Sequence, residues 1–372
     1  MLFADQALRE RPAAFWTLAL GVPFLCWCVV TLGRVMHYLG QQRLADSWDQ
    51  ARLDDRTLRV SQGRRCLQVL GVSLYTALRD KEQGPAAQLE DLLSGAKALK
   101  TQVSWRGDAA RHSQLPREPE MAADEVLLET LGRVLAELGN VLAGLPEQMP
   151  VALLLDIDSS LPPSEVSRVW QQAWENSVIR QPVKLLEGGG GLERVDQWLD
   201  QRHDDAALLM VVALQLAPDQ PAGTAEAAVG LLLGNPQLST PQTPIARLHR
   251  PQQEPQPITS AWLDTVRQSL DWVPAAADAI SHTWRAGIDT QREAAITTAL
   301  VELQLPSKHN QTLHDLDSTL GLPGRVAPWL AIAAAAQTIQ RGAGAQLIVT
   351  GGACANTTLW SVVLTPAAPL ST

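Results

Sequence analysis

The chain begins with a long apolar stretch, and short apolar runs then alternate with amphipathic segments. No charged residue occurs from Pro12 to Gly33, and a helix of this length spans a hydrocarbon core of roughly 30 Å. The next residues are rich in helix formers and opposite charges and contain no proline, which is typical of a solvated helix. We therefore predict a tail at 1–11, a transmembrane helix at 12–33 and a helical stalk at 34–62.

A cleaved signal peptide is the main alternative for this apolar stretch. It would require a cationic start without acids and an exit of small residues, whereas Asp5 and Glu10 precede the stretch. A buried core helix rarely lacks a polar face over its whole length. The signal peptide and the buried core helix are therefore both disfavoured, and we predict a membrane anchor.

The charges beside the anchor predict its orientation. Two arginines precede it, Arg9 and Arg11, and three follow it within about 20 residues, Arg34, Arg43 and Arg52. Positive charges this close to a membrane helix favour the cytoplasmic side. Cys66 and Cys354 do not require an oxidising compartment. We expect the body of the protein on the cytoplasmic side.

The body alternates strand and helix signals, which predicts an α/β fold. The clearest amphipathic helix is Met121–Leu145, and the apolar run Val151–Ile157 after it predicts a strand buried in a parallel sheet. The other predicted strands are Leu67–Leu74, Val183–Leu186, Ala206–Leu214, Ala227–Leu233, Thr297–Leu305, and an antiparallel hairpin of Ala345–Val349 and Thr358–Thr365. The other predicted helices are Ser164–Asn176, Leu192–Gln201, 259–271 and Val326–Arg341.

Two polar stretches that contain proline interrupt this alternation. Residues 107–120 predict a loop, and the six prolines at 235–257 predict a linker or a long surface excursion. The second stretch separates an α/β half at 63–234 from a second α/β half at 258–372.

Charge and cysteine content exclude several functions. The net charge is −9, so no basic surface of the whole domain is available and nucleic acid is not an expected partner. Two of the four cysteines, Cys26 and Cys28, lie in the apolar stretch, which leaves no cysteine cluster for a metal. We predict no metal and no cofactor.

Two strand ends carry residues that could bind a ligand. Asp156 and Asp158 end the run VALLLDIDSS, at the edge where α/β proteins bind metals or phosphates, although acids are also ordinary where a strand turns into a loop. Gly188–Gly191 lie between a strand and a helix and could present N–H groups to an anion. They lack the spacing of a known phosphate loop, so a tight turn is the simpler interpretation.

The remaining candidates are two histidines and a cysteine. His309 and His314, with Asp315 and Asp317 beside the latter, do not have the spacing of metal ligands on one helical face. Cys354 lies near glycines, but a free cysteine is usually a small buried hydrophobe. We assign no catalytic residue; a catalytic alternative would depend on His309 and Cys354.

Residues 183–365 together resemble the thiolase-like fold of β-ketoacyl synthases. AEAAVGLLLG at 225–234 is similar to a strand of that family, and SKHNQTLHDLDSTLG at 307–321 resembles its histidine and aspartate motif. The helix, glycine-rich loop and strand at 326–366 resemble the end of the family fold. The matching or degenerate family positions are Gly188, Gly189, Gly190, Gly191, His309, Asp315, Gly351, Gly352 and Asn356.

The departures from this family imply a scaffold without activity. The family's nucleophilic cysteine opens a helix after a strand, and the corresponding place here is Gly188–Gly191. The second family histidine has no counterpart at 321–330. Because condensation requires a thiolate and groups that polarise the enolate, we expect no condensing activity.

The order of the segments also resembles a family of bacterial type VI secretion lipase-adaptor proteins. The shared features are one N-terminal membrane helix, a strand at Gly71–Leu74 and a large α/β body. This resemblance implies an inner-membrane adaptor or chaperone whose partner is a secretion effector or a spike component. The alternatives are a thiolase-like acyl-thioester enzyme and a structural subunit of an envelope assembly.

Overall fold

The computed structural model describes residues 12–79, 84–118, 120–186, 190–238, 242–273, 277–308, 311–351 and 358–367. The chain forms two compact units, Met1–Ser61 and Gln62–Thr372.

The first unit is helical throughout its described part. Helix α1 (Pro12–Trp16) continues through a π-helical turn, Thr17–Gly21, into helix α2 (Val22–Gly63). Pro23 explains the position of the turn, because a proline has no N–H and its ring clashes with the carbonyl four residues earlier. A π-helical turn widens the helix where that clash would occur.

This helical segment is the one among the described residues that is long and apolar enough to cross a membrane. From Thr17 to Gly63 its most apolar window has a mean hydropathy of 1.8, and none of that window is buried. A membrane anchor and an N-terminal signal sequence share this length and composition. The helix continues without interruption through 34–62, so the predicted helical conformation of the stalk is confirmed.

The second unit consists of two halves, and five strands of each half follow the same order in the main sheet. The elements of the first half are β1 (Cys66–Thr76), α3 (Pro85–Ser94), β2 (Lys100–Val103), β3 (Ala109–His112), α4 (Ala123–Leu142), β4 (Val151–Ser159), α5 (Pro163–Glu175), β5 (Val183–Leu185), α6 (Gly191–Gln201), β6 (Leu208–Leu216) and β7 (Ala227–Gly234). Those of the second half are β8 (Ala246–His249), β9 (Gln252–Gln253), α7 (Thr259–Asp271), β10 (Ile280–Ala286), α8 (Thr290–Glu302), β11 (Leu313–Asp315), α9 (Leu316–Leu320), α10 (Ala327–Gln340), β12 (Ala345–Thr350) and β13 (Trp360–Pro366).

The strand order shows that the fold is a duplication. Outward from the junction the order is β1-β7-β6-β4-β5 in the first half and β8-β13-β12-β10-β11 in the second. In each half the outer three strands are parallel, and the strand between them and the junction strand is antiparallel to both neighbours. Antiparallel pairing of β1 with β8 joins the halves into one sheet.

Three apolar cores separate the layers of this unit. Helices α4 and α5 cover the outer face of the first half, and α7 and α8 cover that of the second. The third core lies between the inner faces of the two halves and encloses α3, α6 and α10. All residues from Ala327 to Ile339 are buried, and the alanine run Ala333–Ala336 allows the backbone of α10 to pack closely on both sides.

The structure confirms the predicted α/β class and most predicted elements, and it corrects three segments. The predicted strand Thr297–Leu305 is wrong, because residues 297–302 belong to α8 and residues 303–305 follow its C-terminus. The Asp289 side chain caps that helix by accepting a hydrogen bond from the Gln291 amide. Ile296, Ala299 and Leu300 then bury a helical stripe, which prevails over the strand preference of the threonines.

The proline-rich segment 235–257 is the second correction. It contains β8, which pairs with β1 on one side and β13 on the other at the centre of the sheet. The prediction of a linker or surface excursion failed because the strand has only four residues, too few for a recognisable alternation. The third correction is the loop predicted at 107–120, which contains strand β3.

Candidate functional site

A cavity of about 380 Å³ lies where elements of the two halves meet, and we call it the central cavity. Helices α6 and α10 reach it with their N-terminal residues Gly191 and Pro328, β4 contributes Asp156, and the end of β12 contributes Thr350 and Gly351. Ligand sites in α/β folds occur at such carboxyl ends of parallel strands. The central cavity is therefore the candidate functional site.

Two glycines with positive φ lie in or beside the wall of this cavity. Gly287 has φ +68, and a Cβ atom there would lie 2.7 Å from the carbonyl oxygen of the cavity residue Gly351. Gly324 lines the cavity and has φ +54, a backbone conformation that is strained for other residues. Gly287 therefore excludes a side chain by backbone contact, and Gly324 disfavours one by its conformation.

An acidic and a basic side chain form an ion pair in the wall of the central cavity. The Asp156 side chain is only 9% exposed, and its Oδ1 lies 3.7 Å from Nη1 of Arg325, whose side chain is 70% exposed. Burial raises the pKa of Asp156, Arg325 opposes that increase, and the nearby Asp158 adds to it. The exposed guanidinium contributes little to stability, so Arg325 is available to a ligand.

The start of α6 makes the same region favourable for an oxygen-rich group. Helix α6 begins at Gly191, which lines the cavity, and the helix dipole places partial positive charge at that end. Helix α10 adds few donors, because Pro328 has no N–H and the Ala327 N–H donates to the Gly324 carbonyl oxygen. Together with Arg325, the N-terminus of α6 would stabilise an anion or a polarised carbonyl oxygen. The described lining offers carboxyl and hydroxyl side chains but no thiol or imidazole.

Several residues singled out in the sequence meet in this cavity. Asp156, Gly190, Gly191 and Gly351 all line it, although they come from distant parts of the chain. Asp158 is exposed beside Gly324. The other predicted positions lie outside the described residues: Gly188, Gly189, His309, Gly352, Cys354 and Asn356.

The remaining candidates lie elsewhere, around β10 and β11. Asp315 is buried, pairs with Arg285 and caps α9 by accepting hydrogen bonds from the backbone N–H groups of Asp317 and Ser318. His314 Nε2 lies 2.9 Å from His282 Nδ1. These contacts give Asp315 and His314 structural roles in the described structure.

Asp317 lines a separate cavity of about 500 Å³ together with Asp289, Glu293 and Asp315. Its two carboxyl oxygens accept hydrogen bonds from the Gly287 and Ile288 amides. Despite these acids, no group of three or more His, Cys, Asp or Glu in the described part of the chain has the arrangement of a metal site.

Sequence reasoning missed Arg325, Thr350 and Trp360, which also line the central cavity. Arg325 lies in a turn just before an apolar helix, and nothing in the local sequence indicates that it meets Asp156. Thr350 and Trp360 are ordinary strand residues by composition. Only the topology, which brings β4 and β12 to one site, identifies them.

No family model and no curated protein matches this sequence. Solved structures do match its fold. A PfaC ketosynthase–chain length factor matches with a TM-score of 0.56 and 11% identity, over 83% of this chain and 43% of the other. The oxazolomycin ketosynthase domain of Streptomyces albus matches with a TM-score of 0.57 and 11% identity, over 82% of this chain and 75% of the other.

A third neighbour is a ketosynthase in complex with its chain length factor from Xenorhabdus doucetiae. It has a TM-score of 0.53 and 10% identity, over 81% of this chain and 98% of the other. The fold of the body is therefore thiolase-like, as the sequence resemblance predicted. At these identities the likeness concerns the fold alone, and this chain spans less than half the length of the PfaC chain.

Proposed function

We propose that this chain is a membrane-anchored protein with a thiolase-like body that binds a protein partner and catalyses no condensation. The anchor holds the body on the cytoplasmic side of the bacterial inner membrane, and a type VI secretion effector before loading is the partner to test first. The proposal rests on the local structure of the central cavity and on the N-terminal helix.

The start of α6 is the observation that carries the non-catalytic part. In the β-ketoacyl synthases that this chain resembles, the nucleophilic cysteine opens the helix that corresponds to α6. Here that helix begins at Gly191, and Gly190 precedes it. Both glycines line the central cavity, so the position faces the place where a substrate would bind. A glycine has no side chain to hold an acyl group, and covalent catalysis requires one.

Protein binding is supported by two further features. The N-terminal helix is long and apolar enough to hold the body at a membrane, where a recruiting protein would act. The Xenorhabdus doucetiae neighbour is described as a ketosynthase in complex with its chain length factor, so a body of this fold can associate with another protein.

A test of catalysis uses the full chain in detergent micelles with an acyl thioester of N-acetylcysteamine. We expect no increase in intact mass, because no acyl group becomes attached to the protein. The variants His309→Ala and Cys354→Ala should retain the biological function and change stability by about 1–3 kcal/mol. An acyl adduct that disappears in Cys354→Ala would instead establish the thioester-enzyme alternative.

A test of partner binding compares two proteins in a mild-detergent pull-down. The bait is the full chain, and the control is the helix 1–61 alone fused to the same tag. We expect a type VI effector or spike protein in stoichiometric amount with the full chain only. An acyl carrier protein would favour the enzyme, and an envelope subunit bound equally by both baits would favour a structural role.

A further inference from the structure

Strand β5 forms an open edge of the main sheet. It is the last strand on the side of the first half, and among the described strands it pairs with β4 alone. The corresponding strand of the second half, β11, is buried at all three of its residues, whereas Lys184 and Leu185 of β5 are exposed. An exposed sheet edge can pair with a strand of another chain. Of these two edges, β5 is the accessible one.

The pairing with β4 leaves two residues of β5 with outward backbone groups. The Leu186 amide, directly after β5, donates to the Leu153 carbonyl oxygen of β4 at 2.8 Å. Alternate residues of a parallel strand form such bonds with one neighbour, so the N–H and C=O groups of Val183 and Leu185 point away from β4. In the described part of the chain these outward groups have no backbone partner.

The side chains beside these groups combine apolar surface with positive charge. Leu185 is 53% exposed, and Val178, in the loop before β5, is 57% exposed. Lys184 and Arg180 are also exposed, and neither side chain forms an ion pair or a hydrogen bond with a described residue. The edge therefore offers unpaired backbone groups, apolar contact area and cations that are available to a partner.

A second copy of this chain is a poor occupant of this edge. Within the three residues of β5, antiparallel self-pairing makes the most hydrogen bonds when Val183 of each copy lies opposite Leu185 of the other. That register places Lys184 directly opposite Lys184 of the second copy, in a non-hydrogen-bonded pair where side chains are closest. Like charges in such a pair are destabilising. A strand of another protein with a carboxylate at this place would be stabilised instead.

We propose that the β5 edge receives an extended, antiparallel segment of a protein partner, with an acidic residue opposite Lys184 and apolar residues opposite Val183 and Leu185. This inference rests on the protein-binding function proposed above, and it names the surface and the kind of segment. Backbone hydrogen bonds to Val183 and Leu185 provide affinity, and the charge of Lys184 selects the sequence.

The test is fluorescence anisotropy of the full chain in detergent micelles with labelled, end-capped peptides. The first peptide is Ser-Thr-Val-Glu-Val-Thr-Ser, the second has lysine in place of glutamate, and the third has both valines N-methylated. We expect saturable binding of the first peptide, about fivefold weaker binding of the second, and no binding of the third, because it lacks the N–H groups that pair with β5. Failure of the first peptide to bind, or equal binding of the first and third, would overturn the proposal.

A charge-reversal variant locates the binding. Lys184→Glu should weaken the affinity for the glutamate peptide and strengthen that for the lysine peptide, each by about fivefold. The matched control is Lys100→Glu, because Lys100 is also an exposed strand lysine but lies in the separate sheet of β2 and β3. An unchanged preference in Lys184→Glu, or an equal change in the control, would contradict the site.

Two further measurements separate this inference from the proposed function and from self-association. If the glutamate peptide binds but the pull-down with the full chain captures no protein, the edge is established and the proposed function fails. If a partner is captured equally by the wild type and by Lys184→Glu, the proposed function stands and this inference fails. A full chain that is a dimer by light scattering and binds no peptide would assign the edge to a second copy and overturn the proposal.

Discussion

Asp317 is a half-buried carboxyl group that lines a cavity and forms no ion pair of its own. Its oxygens accept hydrogen bonds from the Gly287 and Ile288 amides, each at 2.8 Å. Burial, and to a smaller extent the negative charge of Asp315, raise the pKa of Asp317 to about 7, against the lowering effect of those two hydrogen bonds. The proton on this group therefore links folding to pH near neutrality.

We predict that this linkage destabilises the body as pH rises. Between the ordinary pKa of 3.8 and the folded pKa of about 7, the folded state binds more protons than the unfolded state. The contribution of Asp317 to stability is complete below the lower pKa and is lost as pH rises through the upper one. The expected size is on the order of 1–3 kcal/mol.

Urea unfolding of the wild type and of Asp317→Asn from pH 5 to pH 8 measures this effect. Other groups titrate with the opposite sign, since burial lowers the pKa of His249 to about 4, so the difference between the two proteins is the relevant quantity. Asp317→Asn should lose one hydrogen bond and about 1 kcal/mol at pH 5. That deficit should shrink toward pH 8, and a constant deficit would contradict the raised pKa.

Gly287 sets how closely the ends of β10 and β12 approach. We predict that Gly287→Ala destabilises the body by about 2–4 kcal/mol, because the new Cβ atom would lie 2.7 Å from the Gly351 carbonyl oxygen and 2.8 Å from Ala327 Cβ. Gly342→Ala is the control. It has φ +96 but no atom within 4 Å of the new Cβ, so it should cost only about 1 kcal/mol of backbone strain. Equal melting temperatures for both variants would show that the close approach is unimportant.

The candidate residues differ in how far the sequence could place them. Asp156 and Gly191 were found because a strand end and a strand-to-helix turn have local signatures. Arg325 has no such signature, since its importance arises from a contact with Asp156 that only the fold creates. Asp315 and His314 were found by residue type, but their partners Arg285 and His282 come from a strand that was not predicted.

Among the helices and strands, long apolar or amphipathic segments were predicted best. Helix α4 and strand β6 each bury a continuous or periodic apolar set, and such sets have clear periods. Strand β10, with the sequence ISHTWRA, was missed because its polar side chains His282, Thr283 and Arg285 break the apolar run. His282 and Arg285 have partners on the neighbouring strand β11, His314 and Asp315, which the local sequence does not reveal.

Strand β8 provides the sharpest test of the corrected architecture. Leu248 is fully buried in the core between the halves, so we predict that Leu248→Ala destabilises the body by about 2–4 kcal/mol. The exposed neighbour Arg247 is the matched control, and Arg247→Ala should change stability by about 0.5 kcal/mol or less. A linker would tolerate both changes equally, so similar urea midpoints would restore the original prediction for 235–257.

The duplication explains why helix α10 is buried on all sides. The five main strands of each half follow the same order, and α10 lies in the core between the inner faces of the two halves. Its N-terminal residue Pro328 lines the central cavity, so a ligand there would contact a helix that the core holds in place.

The remaining question about the full chain is how its N-terminal helix relates to a membrane. We predict that the helix is a permanent anchor with the body on the cytoplasmic side, because Arg34, Arg43 and Arg52 follow the apolar stretch and positive charge is retained in the cytoplasm. A fluorescent protein that folds only in the cytoplasm, fused after Thr372, should fluoresce in the membrane fraction after alkaline carbonate washing. Replacing the three arginines with glutamine is the control, and it should reduce the fluorescent fraction without releasing the protein from the membrane.

Two outcomes would contradict this prediction. A soluble product whose N-terminus begins after residue 33 would establish a cleaved signal sequence. An active periplasmic reporter on an uncleaved chain would reverse the topology and exclude a cytoplasmic effector as the partner.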